Sequence, residues 1–470
     1  MLWLLTVSWS LVSGYAVLQL CGISTRNLAA DVALAWFCGT GWYTFASCVA
    51  LFVLGLEPSL WESVAILAFP VATAVALRRR LQGGIQTSIV NRRTTRWWPW
   101  RYRWLWVAPA GMVVVVLSLV VLHAKNTPTN TDDAIRLRAH TPMLVYQGHL
   151  SPAARSAIFS NGSFMSFGPL PIWQLRGTIH HFDVNYFIVT NVVFLFALIY
   201  ALCSSRGVPE QGLGTVFLLT TMPLFVYHAA STYLDALYGV MFGGALFFLA
   251  LEAQADSEPY RRCVLLFVYL AAGIKHEGEI VAITTLTVFL VMLAARCLQG
   301  KRFPWRCVSM GVAPLVIYLV VKNVYSSNPL LVGAARVLEQ YVGYDAPGGQ
   351  TAIAAVAAPN STLAWRIFWD SLFSSGNFGI VFYIFGIASV YYWRTILNRQ
   401  LIWPMAALAL VFAEVLINAL IVNPQWTVDM TTVHRSLVAV AMGCAIMTGL
   451  LPDARTLGQR TGEDGCQLAD

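Results

Sequence analysis

Long apolar runs recur from one end of the chain to the other, and they leave few folds open to it. Of the 470 residues, 58% are hydrophobic and only 11% are charged, and the mean hydropathy is +0.65. So little charge cannot coat a water-soluble surface of this size. A run of about 20 apolar residues is long enough to cross a bilayer as a helix. The sequence therefore predicts an all-α, polytopic helical membrane protein.

The apolar runs predict about 13 transmembrane helices. They lie near residues 2–20, 32–55, 58–77, 104–124, 183–203, 213–228, 234–252, 262–275, 279–296, 307–325, 377–396, 401–421 and 434–451. The first run lacks a positively charged leader and a cleavage site, so we interpret it as a retained helix. Two long segments remain, at 126–182 and 326–376, and loops of this length usually carry function. Their aromatic and apolar stretches, FGPLPIWQLRGTIHHF and STLAWRIFWDSLF, predict interfacial helices.

Arginine is concentrated in the loop between residues 78 and 103, which contains eight of them. Short basic loops stay on the cytoplasmic side of a membrane. Alternation then puts the N-terminus and both long segments outside, and the tail at residues 453–470 in the cytoplasm. The net charge of +8 thus has a topological explanation and gives no reason to expect a nucleic-acid partner.

The nine cysteines lie mostly within or at the ends of apolar runs and show no paired spacing. They predict neither a disulfide framework nor a zinc site. The sequence indicates no cofactor and leaves the need for a divalent cation open.

Two adjacent carboxylates, Asp132 and Asp133, stand in the first long outer segment, just beyond an apolar helix. A desolvated carboxylate at this place can act as a general base towards an acceptor hydroxyl. A solvated acidic turn that caps the next short helix explains the same pattern, and the pair alone favours that interpretation.

Three further polar turns are predicted on the same side of the membrane. Asp235 opens a helix after the turn STYLD, the turn IKHEGE contains four ionisable residues, and His434 with Arg435 begins the last helix. Lys322 lies near the outer end of its helix. The candidate binding residues are Asp235, Lys275, His276, Glu277, Lys322, His434 and Arg435.

Each of these residues also has a plain structural explanation. Carboxylates often cap helices, ionisable residues in one turn often pair with each other, and an interfacial arginine often reaches lipid headgroups. A single histidine among carboxylates has no diagnostic metal geometry. A guanidinium also suits a phosphate, which it binds through two parallel hydrogen bonds. Glu414 lies in mid-helix, where a carboxylate usually faces a partner or a cavity.

These motifs resemble those of membrane glycosyltransferases of the C-type fold, especially bacterial relatives of protein mannosyltransferases and of lipid A aminoarabinose transferases. The resemblance lies in the order of the motifs along the chain and in the side of the membrane on which they are predicted. The matching pieces are TDDAIRLRAH, YQGHL, FGPLPIW, STYLD, KHEG and HRSL. The resemblance spans roughly residues 126–451, and the three helices before Arg78 look like an extension found in some bacterial members. The predicted domains are therefore an N-terminal extension with its basic loop, a transmembrane catalytic domain and a tail, at residues 1–103, 104–452 and 453–470.

The resemblance implies transfer of a sugar, with inversion, from a polyprenyl-phosphate donor to a lipid, glycan or protein acceptor outside a bacterial plasma membrane. Asp133 or Asp132 would be the general base; the distance to Gly148 slightly favours Asp133. Arg435 would stabilise the phosphate of the donor, with help from His434, Lys322 or Lys275.

The main alternative is a multi-pass transporter or flippase for a lipid-linked or small solute. Transporters usually place coupling charges near the bilayer midplane and often contain internal repeats, whereas most ionisable candidates in this chain lie on one rim. An O-antigen polymerase or ligase, or an inactive homologue of the transferases, would share the same general organisation.

Overall fold

The computed structural model describes residues 2–23, 28–77, 107–126, 140–148, 158, 163–204, 209–230, 234–325, 361–374, 376–398, 401–422, 427 and 433–464. Within these ranges the secondary structure is helical, and none of these residues forms a strand. The all-α fold class is therefore confirmed for the described part of the chain.

The first half of the chain forms ten helices within the described ranges. They are α1 (Leu2–Leu20), α2 (Leu28–Phe52), α3 (Leu60–Ala76), α4 (Val107–Asn126), α5 (His140–Tyr146), α6 (Ser163–Phe167), α7 (Leu170–Arg176), α8 (His181–Cys203), α9 (Pro209–Thr220) and α10 (Pro223–Ala229).

The second half contributes a further nine among its described residues, with π-helical turns after α15 and α18. They are α11 (Asp235–Ala255), α12 (Glu258–Ile274), α13 (His276–Leu298), α14 (Trp305–Tyr325), α15 (Ser361–Trp369), α16 (Val381–Tyr391), α17 (Trp393–Asn398), α18 (Ile402–Ile417) and α19 (Val433–Asp464).

Each of the 13 predicted segments overlaps a helix, but the number of crossings is not confirmed. In the described ranges, nine helices are long and apolar enough to cross a membrane, or ten if a bent pair counts as one span. Helix α12 is not among them, although it has 17 residues and is joined by short turns to α11 and α13. At 1.5 Å per residue it extends for about 25 Å. The fold of the described residues is that of a multi-pass helical membrane protein with nine or ten candidate spans.

The predicted helix at residues 213–228 is wrong in one respect, because it is broken. Helices α9 and α10 meet at an angle of 93°. Pro223 has no backbone N–H and opens α10, and Met222 before it is extended, with φ −94° and ψ 103°. A residue before proline is sterically driven away from helical angles, so the break follows from the sequence Met-Pro.

Helix α11 forms the centre of the molecule. Every residue from Asp235 to Ala253 is buried, and the helix packs against α12, α13, α18 and α19. Small residues allow the closest of these approaches, since a side chain at Gly239 or Gly243 would overlap Met442 or Ile446 of α19. Membrane helices commonly use glycine in this way because lipid tails provide no hydrophobic force between helices.

The N-terminal helices pack directly on the later ones. The Trp36 indole donates to Asn191 Oδ1 at 2.8 Å, and the Arg262 guanidinium donates to the carbonyl of Cys21 at 2.8 Å. Helix α2 also packs against α8, α12 and α14. The division of the chain at residue 103 stays a prediction, but α1 to α3 share one core with the helices that follow.

Helices α11 to α14 run antiparallel, so their termini gather at two ends of the bundle. We call the end that holds Asp235, Lys275 and Lys322 the site end, and the end that holds Glu252 and Arg296 the far end.

The far end is held by a compact ionic network. Buried Glu252 bonds Arg296 at 2.6 Å and Arg261 at 2.7 Å, and Arg296 also bonds Asp256 at 2.9 Å. Burial opposes ionisation of Asp256, yet the hydrogen bond from Lys301 and the nearby guanidinium groups lower its pKa. These contacts tie the termini of α11, α12 and α13 together.

Candidate functional site

The site end brings together polar residues from five helices, four of them within the run from α10 to α14 and the fifth the distant α19. Helix α11 begins at Asp235, Lys275 joins α12 to α13, Lys322 lies in the last turn of α14, and Arg435 lies in the first turn of α19. His228 comes from the short helix α10. The three polar turns and Lys322, which were predicted to lie on the same side of the membrane, therefore meet at one end of the bundle.

Asp235 is the hub of the first half of this cluster. Its side chain is fully buried, and one oxygen accepts from the Lys275 ammonium at 2.7 Å. The other oxygen lies 3.0 Å from His228 Nδ1 and 3.5 Å from Arg435 Nε. The Lys275 ammonium also lies 3.0 Å from the Glu277 carboxylate. Three positively polarised groups on one buried carboxylate fix its position closely.

Lys322 is the hub of the second half, on the other side of the α12–α13 turn. Its ammonium donates to buried Glu279 and lies 3.1 Å from His276 Nδ1. His276 is also 3.3 Å from Glu279. Because Lys275, His276 and Glu277 are consecutive, the two halves are joined through the turn itself.

The charges of this cluster largely cancel. Its three carboxylates, on Asp235, Glu277 and Glu279, face the cations of Lys275, Lys322 and Arg435. A buried ion needs such a partner, because desolvation costs several kcal/mol per ion. Lys275 and Lys322 thus already neutralise protein carboxylates, and their side chains are only 6% and 3% exposed.

Arg435 is the most open of these three cations. Its side chain is 25% exposed, and its contact with Asp235 is the longest in the cluster. A guanidinium is a suitable group for binding a phosphate. Of the three cations, Arg435 is therefore the one that an anion outside the cluster reaches most easily.

His434 belongs to a neighbouring contact rather than to the ion pairs. The Asn377 amide lies 3.2 Å from His434 Nδ1, and the Asn377 carbonyl accepts from the Leu224 N–H at 3.2 Å. Asn377 thereby links the start of α19 to the first turn of α10, the helix that carries His228.

Two members of the cluster were not among the predicted binding residues. Glu279 stands in the recognised turn IKHEGE but was not assigned a role, and His228 was missed altogether. His228 precedes Asp235 by seven residues, on the other side of the STYL turn. The sequence does contain a signal for His228. It is a histidine at the outer end of one predicted helix, followed after a short turn by a carboxylate at the start of the next helix.

The acidic pair Asp132 and Asp133 lies outside the described residues, as does Ser231. The helix that leads to the pair is described, however. Helix α4 ends at Asn126, and the Asn185 amide from the start of α8 donates to the Lys125 carbonyl at 3.3 Å.

The segment FGPLPIW forms α6 and α7, and it is buried rather than laid on a surface. Trp173 is fully buried, contacts the Tyr146 ring at 6.0 Å and donates to the His180 carbonyl. Gly177 ends α7 with φ +74°, a left-handed angle that suits glycine. Helix α7 thus packs inside the protein, and its predicted position in the membrane interface stays a prediction.

Among the described residues, no group of three or more His, Cys, Asp and Glu side chains is arranged to hold a metal ion. The eight cysteines in the described ranges are free thiols. Glu414 accepts a hydrogen bond from Thr284 of α13, so this mid-helix carboxylate faces a protein partner.

A comparison of the chain with models of known families, with curated proteins and with solved structures gives no match. The helices and their hydropathy define the class, which is an all-helical multi-pass membrane protein.

Proposed function

We propose that this protein is a membrane glycosyltransferase that takes a sugar from a polyprenyl-phosphate donor and gives it to a lipid, glycan or protein acceptor outside a bacterial plasma membrane. One observation carries the proposal: Asp235, Lys275 and Arg435, which come from three separated motifs, meet in one cluster at the ends of their helices. That convergence is what an enzyme assembled from those motifs requires.

The reach of the chain supports a general base at the same end. Asp132 follows the end of α4 by about six residues, which span at most about 20 Å. The end of α4 contacts the start of α8, where Phe187 packs on Phe164, and the neighbouring Ser163 donates to the Gly273 carbonyl near the end of α12. On this basis we propose that Asp132 or Asp133 approaches the cluster.

In the proposed reaction, Asp133 or Asp132 removes the proton of an acceptor hydroxyl as its oxygen attacks the anomeric carbon. The bond from that carbon to the lipid-phosphate oxygen breaks, and its electron pair leaves with the phosphate. The leaving group is a stable anion that needs charge stabilisation more than a proton, and Arg435 supplies it. Asp235 positions Arg435 from its inner side.

The acidic pair gives the direct test. In vesicles supplied with a radiolabelled polyprenyl-phosphate sugar, we expect either Asp133→Asn or Asp132→Asn to abolish transfer to membrane acceptors, because an amide cannot take the proton. Amounts of folded protein should be unchanged. Full activity in both single variants and in the double variant would refute the assignment.

Arg435→Gln tests the phosphate role. A charged hydrogen bond contributes about 1.5–3 kcal/mol, so the KM for the lipid-phosphate donor should rise about ten-fold or more. Arg306→Gln is the matched control, since Arg306 is an exposed arginine near the far end. An unchanged donor KM in Arg435→Gln would remove this residue from the role.

A transporter or flippase is the second candidate, and two observations favour it. The α9–α10 pair is bent by 93°, and discontinuous helices of this kind often line transport sites. Glu414 also lies within an apolar span, where carboxylates often relay protons. Uptake of a lipid-linked sugar without any transfer to an acceptor would support this candidate over the first.

A further inference from the structure

A basic and aromatic segment leads from α13 into α14 at the far end, at the opposite end of the bundle from the site end. It has the sequence KRFPWR, from Lys301 to Arg306. The Lys301 ammonium donates to the Asp256 carboxylate of the far-end network, and the Lys301 backbone N–H donates to the Arg296 carbonyl at 3.1 Å. These two contacts hold the segment against the ends of α11 and α13.

The two arginines of this segment differ from the other cations around the far-end network. Those cations each bond a carboxylate near the α11–α12 turn; they are Arg261, Arg262, Arg296 and Lys301. Arg302 and Arg306 are exposed, and neither forms an ion pair with a described residue. The two arginines therefore bring positive charge that no described carboxylate compensates, and this favours an anionic partner.

The side of α14 next to these arginines is apolar and faces away from the protein. The Trp305 side chain is 71% exposed, and its ring lies 4.4 Å from that of Phe303. Exposed apolar residues continue along α14, which is a candidate membrane span; they are Met310, Val316, Ile317, Val320 and Val324. Tryptophan at the end of an apolar span is typical of the headgroup level of a bilayer. The anion is therefore expected at a membrane surface.

The headgroup of an anionic phospholipid meets both requirements. Its phosphate can accept paired hydrogen bonds from a guanidinium, and its acyl chains can lie along the exposed apolar side of α14. A zwitterionic headgroup has the same phosphate but carries a cation of its own, so it leaves the charge of Arg302 and Arg306 uncompensated. Net negative charge is thus the property that the two arginines select.

We propose that Arg302, Trp305 and Arg306 form a site for the headgroup of an anionic phospholipid. Helix α14 has 21 residues and extends for about 30 Å from this site to the site end. The lipid site is therefore separate from the proposed donor contact at Arg435, in which Arg306 has no part. It stands whether or not the protein transfers sugar.

Fluorescence quenching beside Trp305 tests the site in the full-length protein. A bimane label is attached to Ser309→Cys in a cysteine-free background, since Ser309 is exposed one turn along α14. The protein is reconstituted in phosphatidylcholine vesicles that contain a small fraction of phosphatidylglycerol or phosphatidylcholine with a nitroxide on the acyl chain. We expect nitroxide-labelled phosphatidylglycerol to quench the label more strongly, because it is enriched at the site.

Arg302→Gln and Arg306→Gln should each lower the preference for phosphatidylglycerol by up to about five-fold, as expected for one basic residue near a membrane surface. Lys301→Gln is the matched control. It removes a neighbouring charge that Asp256 already compensates, so the preference should be kept.

Three outcomes would overturn the proposal. Equal quenching by the two labelled lipids in the wild-type background would show that the site does not select an anionic lipid. An equal loss of preference in Lys301→Gln and Arg302→Gln would show only a general attraction to basic surface. Loss of the preference when glycerol phosphate is added at constant ionic strength would show that the arginines bind a soluble anion instead.

Discussion

At the residue scale, the buried carboxylate of Asp235 decides the geometry of the site end. It receives Lys275, His228 and Arg435 while its own side chain is fully buried. A buried ion pair is weak evidence for net stability, but breaking one leaves a charge uncompensated. The value of the Asp235 contacts therefore lies mainly in holding Lys275 and Arg435 in fixed positions.

Lys275→Met tests this coupling through stability. The change removes the nearest cation of Asp235 and should lower the free energy of unfolding by up to about 3–5 kcal/mol, as measured by unfolding in mixed detergent micelles. Adding Asp235→Asn should restore part of the loss, because the fully buried side chain that lost this cation is then neutral. Glu258→Gln is the control, since that exposed pair with Arg262 contributes only about 0–1 kcal/mol. Strictly additive losses in the double variant would contradict the coupling.

At the element scale, the crossing of α1 and α2 depends on glycine. A side chain at Gly14 would overlap the carbonyl of Ala35, and one at Gly39 would overlap the carbonyl of Ser10. The two backbones thus touch without side chains between them, as small residues permit in membrane helices. This contact fixes α1 against α2, the helix whose Trp36 bonds Asn191 of α8.

Gly39→Val tests this crossing. The added side chain meets rigid backbone, so we expect the helices to separate and the midpoint of thermal unfolding to fall by several degrees. Gly111→Val is the matched control, because no atom lies within 4 Å of a side chain at Gly111 of α4. Equal stability of the two variants would show that the crossing adapts without cost.

The broken helix at α9–α10 is the second decisive element. Pro223 and the preceding Met222 explain the break, and α10 beyond it places buried His228 beside Asp235. Helix α10 is further held by the Asn377 carbonyl at its first turn. Hydropathy alone does not show this, since the two halves together are as apolar as one continuous span.

At the scale of the whole molecule, basic residues mark the far end. Arg261, Arg296 and Lys301 gather there around Glu252 and Asp256. The positive-inside rule predicts that this end faces the cytoplasm and that the site end faces outward.

Labelling of single substituted cysteines with a membrane-impermeant maleimide tests this orientation in a cysteine-free background. We expect Ser231→Cys to react in intact cells, and Gln299→Cys and Gln82→Cys to react only after the membrane is opened. Gln299 is exposed at the far end, next to the end of α13. The reverse pattern would invert the topology and remove the basis for an outward-facing site.

The sequence by itself determined the class of the protein and the helices that form it. Apolar runs of membrane length leave only a helical solution for the backbone, whereas the break before α10 was not predicted, although Pro223 explains it. The turns STYLD, IKHEGE and HRSL also mark their residues as polar groups at helix ends. The helices and the polar turns can both be predicted because each depends on residues that are neighbours along the chain.

Only the tertiary structure decided which charges meet. Lys275 and Lys322 are similar in sequence, each a lysine at the end of an apolar helix, yet one pairs with Asp235 and the other with Glu279. The partners of His228 and Asp183, and the convergence of five helix termini on one cluster, also depend on how the helices pack. Hydropathy determines which segments enter the membrane, but it does not determine how each helix is rotated about its own axis. Side-chain packing sets that rotation and therefore decides which charged groups meet.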